Sequence, residues 1–579
     1  MIATPRRRSF RALQKLTLLS LACSVGLTPL LAQAQDTEEA GLKTVAVASL
    51  SGYDRLMTDI DFLGELGGRP ASAQMLEGML AFFTQGRGVQ GLDKSRPIGL
   101  VLQTDGMQFV PLGCLPVADI NPLLELAEGF GIEPVGVGDD IYEVDMQDQT
   151  VFFKQQGDWT FVGQSAEALA SAPSDPSDLL TSMVKQYDLC VQLMAQNIPE
   201  MYRSIAIEQM RQGMQEGLKQ QEGESDEDFE FRQRLAESQI AQLQDLITGM
   251  DEVTLGWAID SEAKNTYLDM ILKAVPGSDI ALACEASKDC VTALSGFHRP
   301  DAAMTFRATS KSPPELVEKQ REQLEASVAM LRNQAKQGLE ESEEISDPDD
   351  REAIVSAVNE LLDAYEAMIL SGEVDMAMSL NLAGENYDLI AAARVEEPTK
   401  IENAFKKLAE MAKDKPDFPG VQWDADSHAG VTMHSMSIPV PPEAGQVKEV
   451  LGESIDLVMG LGPQHAYFAV GPECSAALKQ AIDVSSAQDS EPSLPGEMSI
   501  SLGQMLEAIL PLADAQSGAI MQMILESIKE QPNGNDHVLM TTEYVENGSK
   551  ARLLIEEGVL RAAGAAAAAA AAAQQGGGF

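Results

Sequence analysis

The chain has 579 residues, of which 44% are hydrophobic, and its 41 basic against 89 acidic residues give a formal net charge of −48. This length exceeds what one hydrophobic core organises, so two or more domains are predicted. The acidity argues against nucleic acid as a partner, because that binding rests on cationic contacts to phosphate. It also disfavours docking on anionic membrane surfaces.

The N-terminus has the three regions of a secretory signal peptide. Residues 6–15 hold five basic side chains, residues 16–31 are apolar, and residues 32–34 form a small-x-small cleavage site. We therefore predict a signal peptide at 1–34 and an exported mature protein, periplasmic or extracellular. No later segment reaches the ~18 apolar residues of a transmembrane helix, so none is expected after signal removal. Residues 7–10 partly resemble a twin-arginine signal, which leaves Sec and twin-arginine export open.

The first elements are predicted from apolar periodicity. A strand is expected at residues 43–50, and helices are expected at residues 53–66 and 71–83. The second of these helices is expected to face the core with the side chains of Met75, Leu76, Met79, Leu80 and Phe83.

Residues 98–169 carry a pattern that organises the chain, because it occurs twice. Each copy consists of two apolar strands around a tight turn, a helix with one apolar face, further strands and a closing helix; the second copy starts at residue 376. The helix of the second copy carries Ile401, Phe405 and Leu408 on its apolar face. An internal repeat of this kind predicts a duplicated architecture.

Helical pairs are predicted between the repeated segments. Apolar side chains keep a helical period from residue 180 to residue 210, and a second helix returns at 229–247. A longer pair is expected at 313–339 and 349–370, so each half carries an antiparallel helical hairpin. Further strands or β-hairpins are predicted at residues 253–273, 280–285, 302–307 and 538–555.

The fold class predicted from these elements is α+β, internally duplicated, with mostly antiparallel sheets, helices on one face and protruding helical hairpins. Residues 35–277 form the first α+β half, and residues 278–561 form the second. Residues 562–579 include nine consecutive alanines and lack an apolar–polar face. This low-complexity tail is therefore predicted to be disordered or fraying.

The candidate metal ligands are Asp424, Asp426, His428 and His434, which lie near one predicted strand. Their even numbers place them on one face of a continuous strand, and carboxylate with imidazole ligands suits a divalent ion. Two observations weaken this interpretation. The matching part of the first copy has no histidine, and Gly430 can interrupt the strand. Polar residues on a strand flank are more often plain surface residues.

No complete catalytic motif is found. The sequence has no GxSxG, HExxH or CxxC pattern, and its GxGxxG match at residues 86–91 lies between a predicted helix and a strand, the reverse of a dinucleotide site. We therefore predict a non-enzymatic protein without a cofactor. Export permits disulfides, and Cys284 and Cys290 are close enough in sequence to pair; whether they do is left open.

Two motifs carry a resemblance: GLDKSRPI at residues 91–98 and GDWTFVG at residues 157–163. Together with the signal peptide, they resemble large uncharacterised exported proteins of planctomycete-type bacteria. The similarity covers most of the first half and extends more weakly into the second. It implies export and duplication, and it supplies no catalytic residues.

Three classes of function remain. The first is a non-enzymatic binding or scaffolding protein of the cell envelope with an unknown protein partner. The second is a periplasmic carrier of lipid or another apolar ligand, because a sheet beneath Met-rich helices can enclose an apolar cavity. The third, a metal-dependent hydrolase, rests on the four Asp and His candidates alone.

Overall fold

The computed structural model describes residues 42–576 with short gaps. The gaps are residues 130–131, 147–148, 171, 221–225, 342–344, 346, 384–385, 416–417, 442–444, 446–447, 449–450, 488–490 and 530–534. The predicted signal peptide therefore lies outside the described residues.

The first half of the chain alternates strands with short helices and one long helical pair. Its strands are β1 (Lys43–Leu50), β2 (Ile98–Thr104), β3 (Phe109–Leu115), β4 (Val135–Gly138), β5 (Ile141–Met146), β6 (Gln149–Gln156), β7 (Trp159–Gly163), β8 (Leu189–Met194), β9 (Met250–Asp260) and β10 (Asn265–Ala274). Its helices are α1 (Tyr53–Leu66), α2 (Ser72–Phe83), α3 (Asn121–Gly129), α4 (Ala166–Ala170), α5 (Ser177–Val184), α6 (Glu200–Gly217) and α7 (Asp226–Gly249).

The second half follows a similar plan with longer helices. Its strands are β11 (Val291–Thr292), β12 (Met304–Lys311), β13 (Glu373–Ala383), β14 (Asn386–Arg394), β15 (Gln422–His428), β16 (Val431–Pro439), β17 (Ser454–Leu461), β18 (His465–Val470), β19 (Glu491–Pro492), β20 (Gly496–Ser501), β21 (His537–Val545) and β22 (Gly548–Glu556). Its helices are α8 (Asp279–Ala286), α9 (Pro314–Glu341), α10 (Pro348–Leu370), α11 (Pro398–Ala412), α12 (Cys474–Ala487), α13 (Leu502–Ile509), α14 (Ala515–Lys529) and α15 (Glu557–Gly576).

One antiparallel sheet joins 20 of these strands, and β11 pairs with β19 separately. From its outer edge inwards the first half has the order β4-β5-β6-β7-β3-β2-β1-β8-β9-β10. From the other edge the second half has the order β15-β16-β17-β18-β14-β13-β12-β20-β21-β22. The halves meet where β10 pairs with β22. The predicted α+β class and antiparallel pairing are confirmed, but the prediction of a separate sheet in each half is wrong.

Helices cover both faces of the sheet in the second half, which corrects the prediction that they lie on one face. Ile390 of β14 is buried against Leu478 and Ile482 of α12 on one face. On the other face, Ala391 of the same strand points towards Phe405 of α11. Neighbouring residues of a strand face opposite sides, so α11 and α12 lie on opposite faces.

Two predicted elements have the wrong type. The helical period expected through residues 187–191 is interrupted by β8, because this strand is placed between β1 and β9 and its side chains alternate. Cys190 is fully buried, whereas Val191 is 43% exposed. The strand expected at 280–285 is helix α8, which Ser278 caps by accepting a hydrogen bond from the backbone N–H of Ala281.

Two further expectations about packing are corrected. In α2, Met75, Met79 and Phe83 are 63%, 50% and 61% exposed, so they do not face the core. The alanine-rich tail is helical as far as the structure describes it, and Ala562 of α15 is buried. Gly564 allows this packing, because a Cβ there would lie 2.5 Å from the Cα of Gly67 at the end of α1.

The junction of the two halves contains an ion pair whose carboxylate is fully buried and which should contribute strongly to stability. Arg552 of β22 donates two hydrogen bonds, of 2.7 and 2.8 Å, to the fully buried carboxylate of Asp269 in β10. The replacement Asp269→Ala strands the guanidinium, so we expect a loss of about 3–5 kcal/mol in the free energy of unfolding. Urea denaturation measures it, with Glu318→Ala as the control, because Glu318 pairs with Arg321 on the exposed surface. Equal midpoints for both variants would contradict the prediction.

Candidate apolar ligand site

The candidate site is an apolar cleft of about 1010 Å³ between α11 and one face of the sheet in the second half. The helix contributes Ile401, Phe405 and Leu408 to it, which are the residues that the sequence predicts on one helical face. Their spacing of four and three residues follows the helical turn, so a single stripe meets the sheet. The prediction of an apolar face on this helix is therefore confirmed.

The floor of the cleft consists of side chains from neighbouring strands that point to the same face. These side chains are Phe306, Met376, Met378, Ala391, Ala393, Met436, Ile438, Leu457, Met459 and Phe468. The carrier hypothesis expected Met-rich helices to line a cavity, but the methionines of the floor lie on strands instead. Their unbranched thioether side chains adapt to irregular apolar shapes.

A polar cluster closes one end of the cleft and attaches α11 to the sheet. The backbone N–H of Asp424 donates to His434 Nδ1 at 3.0 Å, and the Nε2 atom of the same ring lies 3.7 Å from Glu402 Oε1 of α11. Lys406 Nζ donates to that carboxylate at 2.6 Å and lies over the ring of Trp423. The Trp423 ring in turn packs edge-on against His434, with 5.0 Å between ring centroids.

The hydrogen bond from Asp424 fixes the tautomer of His434. Because Nδ1 accepts a hydrogen bond, it carries a lone pair, and the proton of the neutral ring is on Nε2. The side chain is 1% exposed. Burial lowers the pKa of His434 below its usual 6.5, although the carboxylates of Glu402 and Asp424 oppose this shift. The ring is therefore held neutral, with one N–H directed towards the carboxylate of Glu402.

The structure separates the four predicted metal ligands. Asp426 pairs with Lys479 of α12, and His428 Nε2 lies 2.6 Å from Asp483 Oδ1 of α12, so both residues are on the face opposite to His434. The cause is the two-residue turn Ala429-Gly430, both residues of which have positive φ, because it places His428 directly opposite Val431. Opposite residues of paired strands share a face and successive residues alternate, so His428 lies on the face of Val431 and not on that of His434. The prediction that the four share one face is therefore wrong.

A smaller metal-like group remains around His434. Glu402, Asp424 and His434 each offer one ligand atom, and these atoms lie within 4.8 Å of one another. A metal needs a ring nitrogen with a free lone pair. Nδ1 uses its lone pair for Asp424, and Nε2 carries the proton, so this arrangement does not fit a metal ion. Glu402 was missed from the sequence, since it lies on a helix 32 positions before His434.

A second, polar cavity of about 790 Å³ lies in the first half beside Arg55. Asp59 lines this cavity and forms a buried pair of carboxyl groups with Asp188, and the two residues are 4% and 1% exposed. Burial and the neighbouring Asp188 raise the pKa of Asp59 to about 7, against the opposing charge of Arg55, whose Nε lies 2.6 Å from Asp188 Oδ1. This pair of carboxyl groups cannot be predicted from the sequence, because Asp59 on α1 and Asp188 before β8 are far apart along the chain.

Comparison with family models, curated proteins and solved structures gives no match. Within the part of the chain that the structure describes, no helix has the length and apolar character needed to cross a membrane. The cysteines of that part are free thiols, so Cys284 and Cys290 do not form a disulfide.

The neutral state of His434 makes stability depend on pH. Its folded pKa lies below the unfolded value near 6.5, so the unfolded chain takes up a proton first as the pH falls, and this contribution to stability is lost below about 6.5. In His434→Asn the amide oxygen can still accept from Asp424 but does not titrate. We expect the melting temperature of the wild type to fall more steeply between pH 7.5 and 5.5 than that of the variant. The other histidines titrate in both proteins, so parallel curves would contradict the prediction.

Proposed function

We propose that the protein is a carrier for a lipid or another apolar ligand, which binds in the cleft under α11. The observation that carries this proposal is the cleft itself. Its volume of about 1010 Å³ lies at the upper end of the ~300–1,000 Å³ range of ligand pockets, and its walls are almost entirely apolar. A small number of polar groups at one end, around His434, completes the usual composition of such a site.

The exposure of the walls supports a ligand rather than a poorly packed core. Phe405, Ile438 and Phe468 are 42%, 37% and 40% exposed, although all three line the cleft. Each Å² of apolar surface removed from water contributes ~25 cal/mol. An apolar ligand that covers these side chains therefore gains binding energy without any change in the fold.

The proposal includes the internal duplication and the export predicted from the sequence. In each half a helix follows the strand that is fifth from the outer edge of the sheet, α3 after β3 and α11 after β14. The matching strand order of the halves supports a common origin. Helix α3 spans 9 residues and α11 spans 15, so the second half has the longer roof. We place the carrier outside the cytoplasm because the N-terminal sequence has the pattern of a signal peptide.

A second candidate function, a scaffolding protein of the envelope, is favoured by one feature. Helix α2 exposes Met75, Met79, Phe82 and Phe83, and Phe82 is 81% exposed. Clustered exposed apolar side chains of this kind are typical of protein contact surfaces. This surface lies on an element separate from the cleft, so the two functions can be tested with separate variants.

The carrier proposal predicts saturable binding of an uncharged apolar probe. Titration with N-phenyl-1-naphthylamine, read by its fluorescence, should show one class of sites in the purified protein. A carboxylate on the floor must be desolvated beside the probe, so Phe468→Asp should weaken binding about tenfold or more. The matched control is Phe82→Asp on α2, which should bind as the wild type does.

Two results would contradict the carrier proposal: no saturable binding in the wild type, or equal weakening in both variants. Native mass spectrometry of protein purified from its own host gives an independent readout. A retained lipid that is lost in Phe468→Asp but kept in Phe82→Asp supports the proposal.

A further inference from the structure

The apolar floor of the cleft does not end at the cleft. Residues directly opposite each other on paired strands point to the same face of a sheet. Phe468 lies opposite Ala391, Ala391 lies opposite Met378, and Met378 lies opposite Phe306, and all four line the cleft. Beyond Phe306, the same line of opposed residues continues strand by strand.

We call this continuation the apolar row. It consists of Met498, Met540, Leu553, Leu268, Trp257 and Leu189 on β20, β21, β22, β10, β9 and β8. The register is unbroken across the junction of the halves, where Leu268 lies opposite Leu553. None of the six lines the cleft, so the row is additional surface on the same face.

The row is open to solvent. Met540, Leu553, Leu268 and Leu189 are 43%, 36%, 38% and 41% exposed. Adjacent strands are spaced by ~4.8 Å, so six further strands extend the apolar floor by about 29 Å beyond Phe306. One leaflet of a bilayer holds its acyl chains within about half of a ~30 Å hydrocarbon core. The row is therefore as long as about two acyl chains.

We infer that the apolar row is a continuation of the ligand site and that the occupant is a long-chain lipid whose chains leave the cleft along the sheet. The inference rests on the proposed carrier function. Acyl chains are the chemistry that fits a strip of Leu, Met and Trp side chains, because they match its apolar surface and need no hydrogen-bond partner. A second copy of the chain fits less well, because each copy carries a formal net charge of −48 and like charges oppose close approach.

The polar end of the cleft limits the head group. Glu402 and Asp424 both lie beside His434, and Lys406 is already paired with Glu402. Two carboxylates with one cation repel an anionic head, so the occupant is an uncharged lipid, such as a long-chain alcohol or ester.

Photo-labelling with hexadecyl hexadecanoate, an uncharged ester whose two chains end to end match the length of the row, tests the path of the chain when a diazirine is placed near the methyl end of one chain. In the wild-type protein we expect labelled peptides from the cleft and also from β21 and β22, both reduced by excess unlabelled ester. The double variant Met540→Asn/Leu553→Asn should reduce the label on β21 and β22 about fivefold and leave the label on α11. The control Thr541→Asn lies on the opposite face of β21 and should label as the wild type does.

The outcomes separate the two levels of the proposal. Saturable label confined to the cleft overturns the apolar row as a site but leaves the carrier function in place. Absence of saturable label anywhere overturns both. A dimer in light scattering, with β21 and β22 protected from label in the dimer alone, also overturns the inference, because the row is then an interface between copies. Label on β21 and β22 of the monomer supports it.

Discussion

The pairing of β10 with β22 is the contact on which the rest of the structure depends. Nine residue pairs run from Asn265 opposite Glu556 to Lys273 opposite Gly548. The backbones approach so closely at the end that a Cβ on Gly548 would lie 1.9 Å from the carbonyl oxygen of Leu272. Without this ladder, each half would present an open edge strand of the kind that invites aggregation. With it, the two halves share one sheet, and a line of side chains can cross from one half to the other.

The two faces of that sheet have different roles because the strands alternate. In the second half, one face forms a core with α12 around Ile390, Met433 and Leu478. The other face is also apolar, and strands that are apolar on both faces normally lie between two covering layers. Helix α11 covers only part of this second face. The proposed ligand would cover the remaining apolar surface, so the proposed binding site is a part of the sheet that no helix in the described part of the chain covers.

The sequence indicates the local elements well and their long-range arrangement poorly. Helix α11 and the hairpin β9–β10 are predicted correctly, because the apolar periodicity of each is contained within roughly fifteen neighbouring residues. The sequence predicts helix where the structure has β8, since a short, mostly apolar segment fits either period when its contacts along the sheet are unknown. The turn Ala429-Gly430 places His428 opposite Val431 and so separates it from the face of His434, and Gly430 marks this turn in the sequence. Neither Glu402 beside His434 nor Leu268 beside Leu553 can be predicted without the register of distant strands.

The exposed apolar face of the sheet gives a physical reason for the acidity of the chain. A flat sheet surface that keeps Leu268, Met540 and Phe468 about 40% exposed should favour association between copies, since contiguous apolar patches bind one another. A formal net charge of −48 opposes that association over the distance of a Debye length, ~8 Å at physiological salt. The same charge does not act on an uncharged lipid. Acidity at the surface and an apolar strip on the sheet are therefore compatible: the charge opposes contact between copies, and it does not oppose the uncharged ligand that we propose.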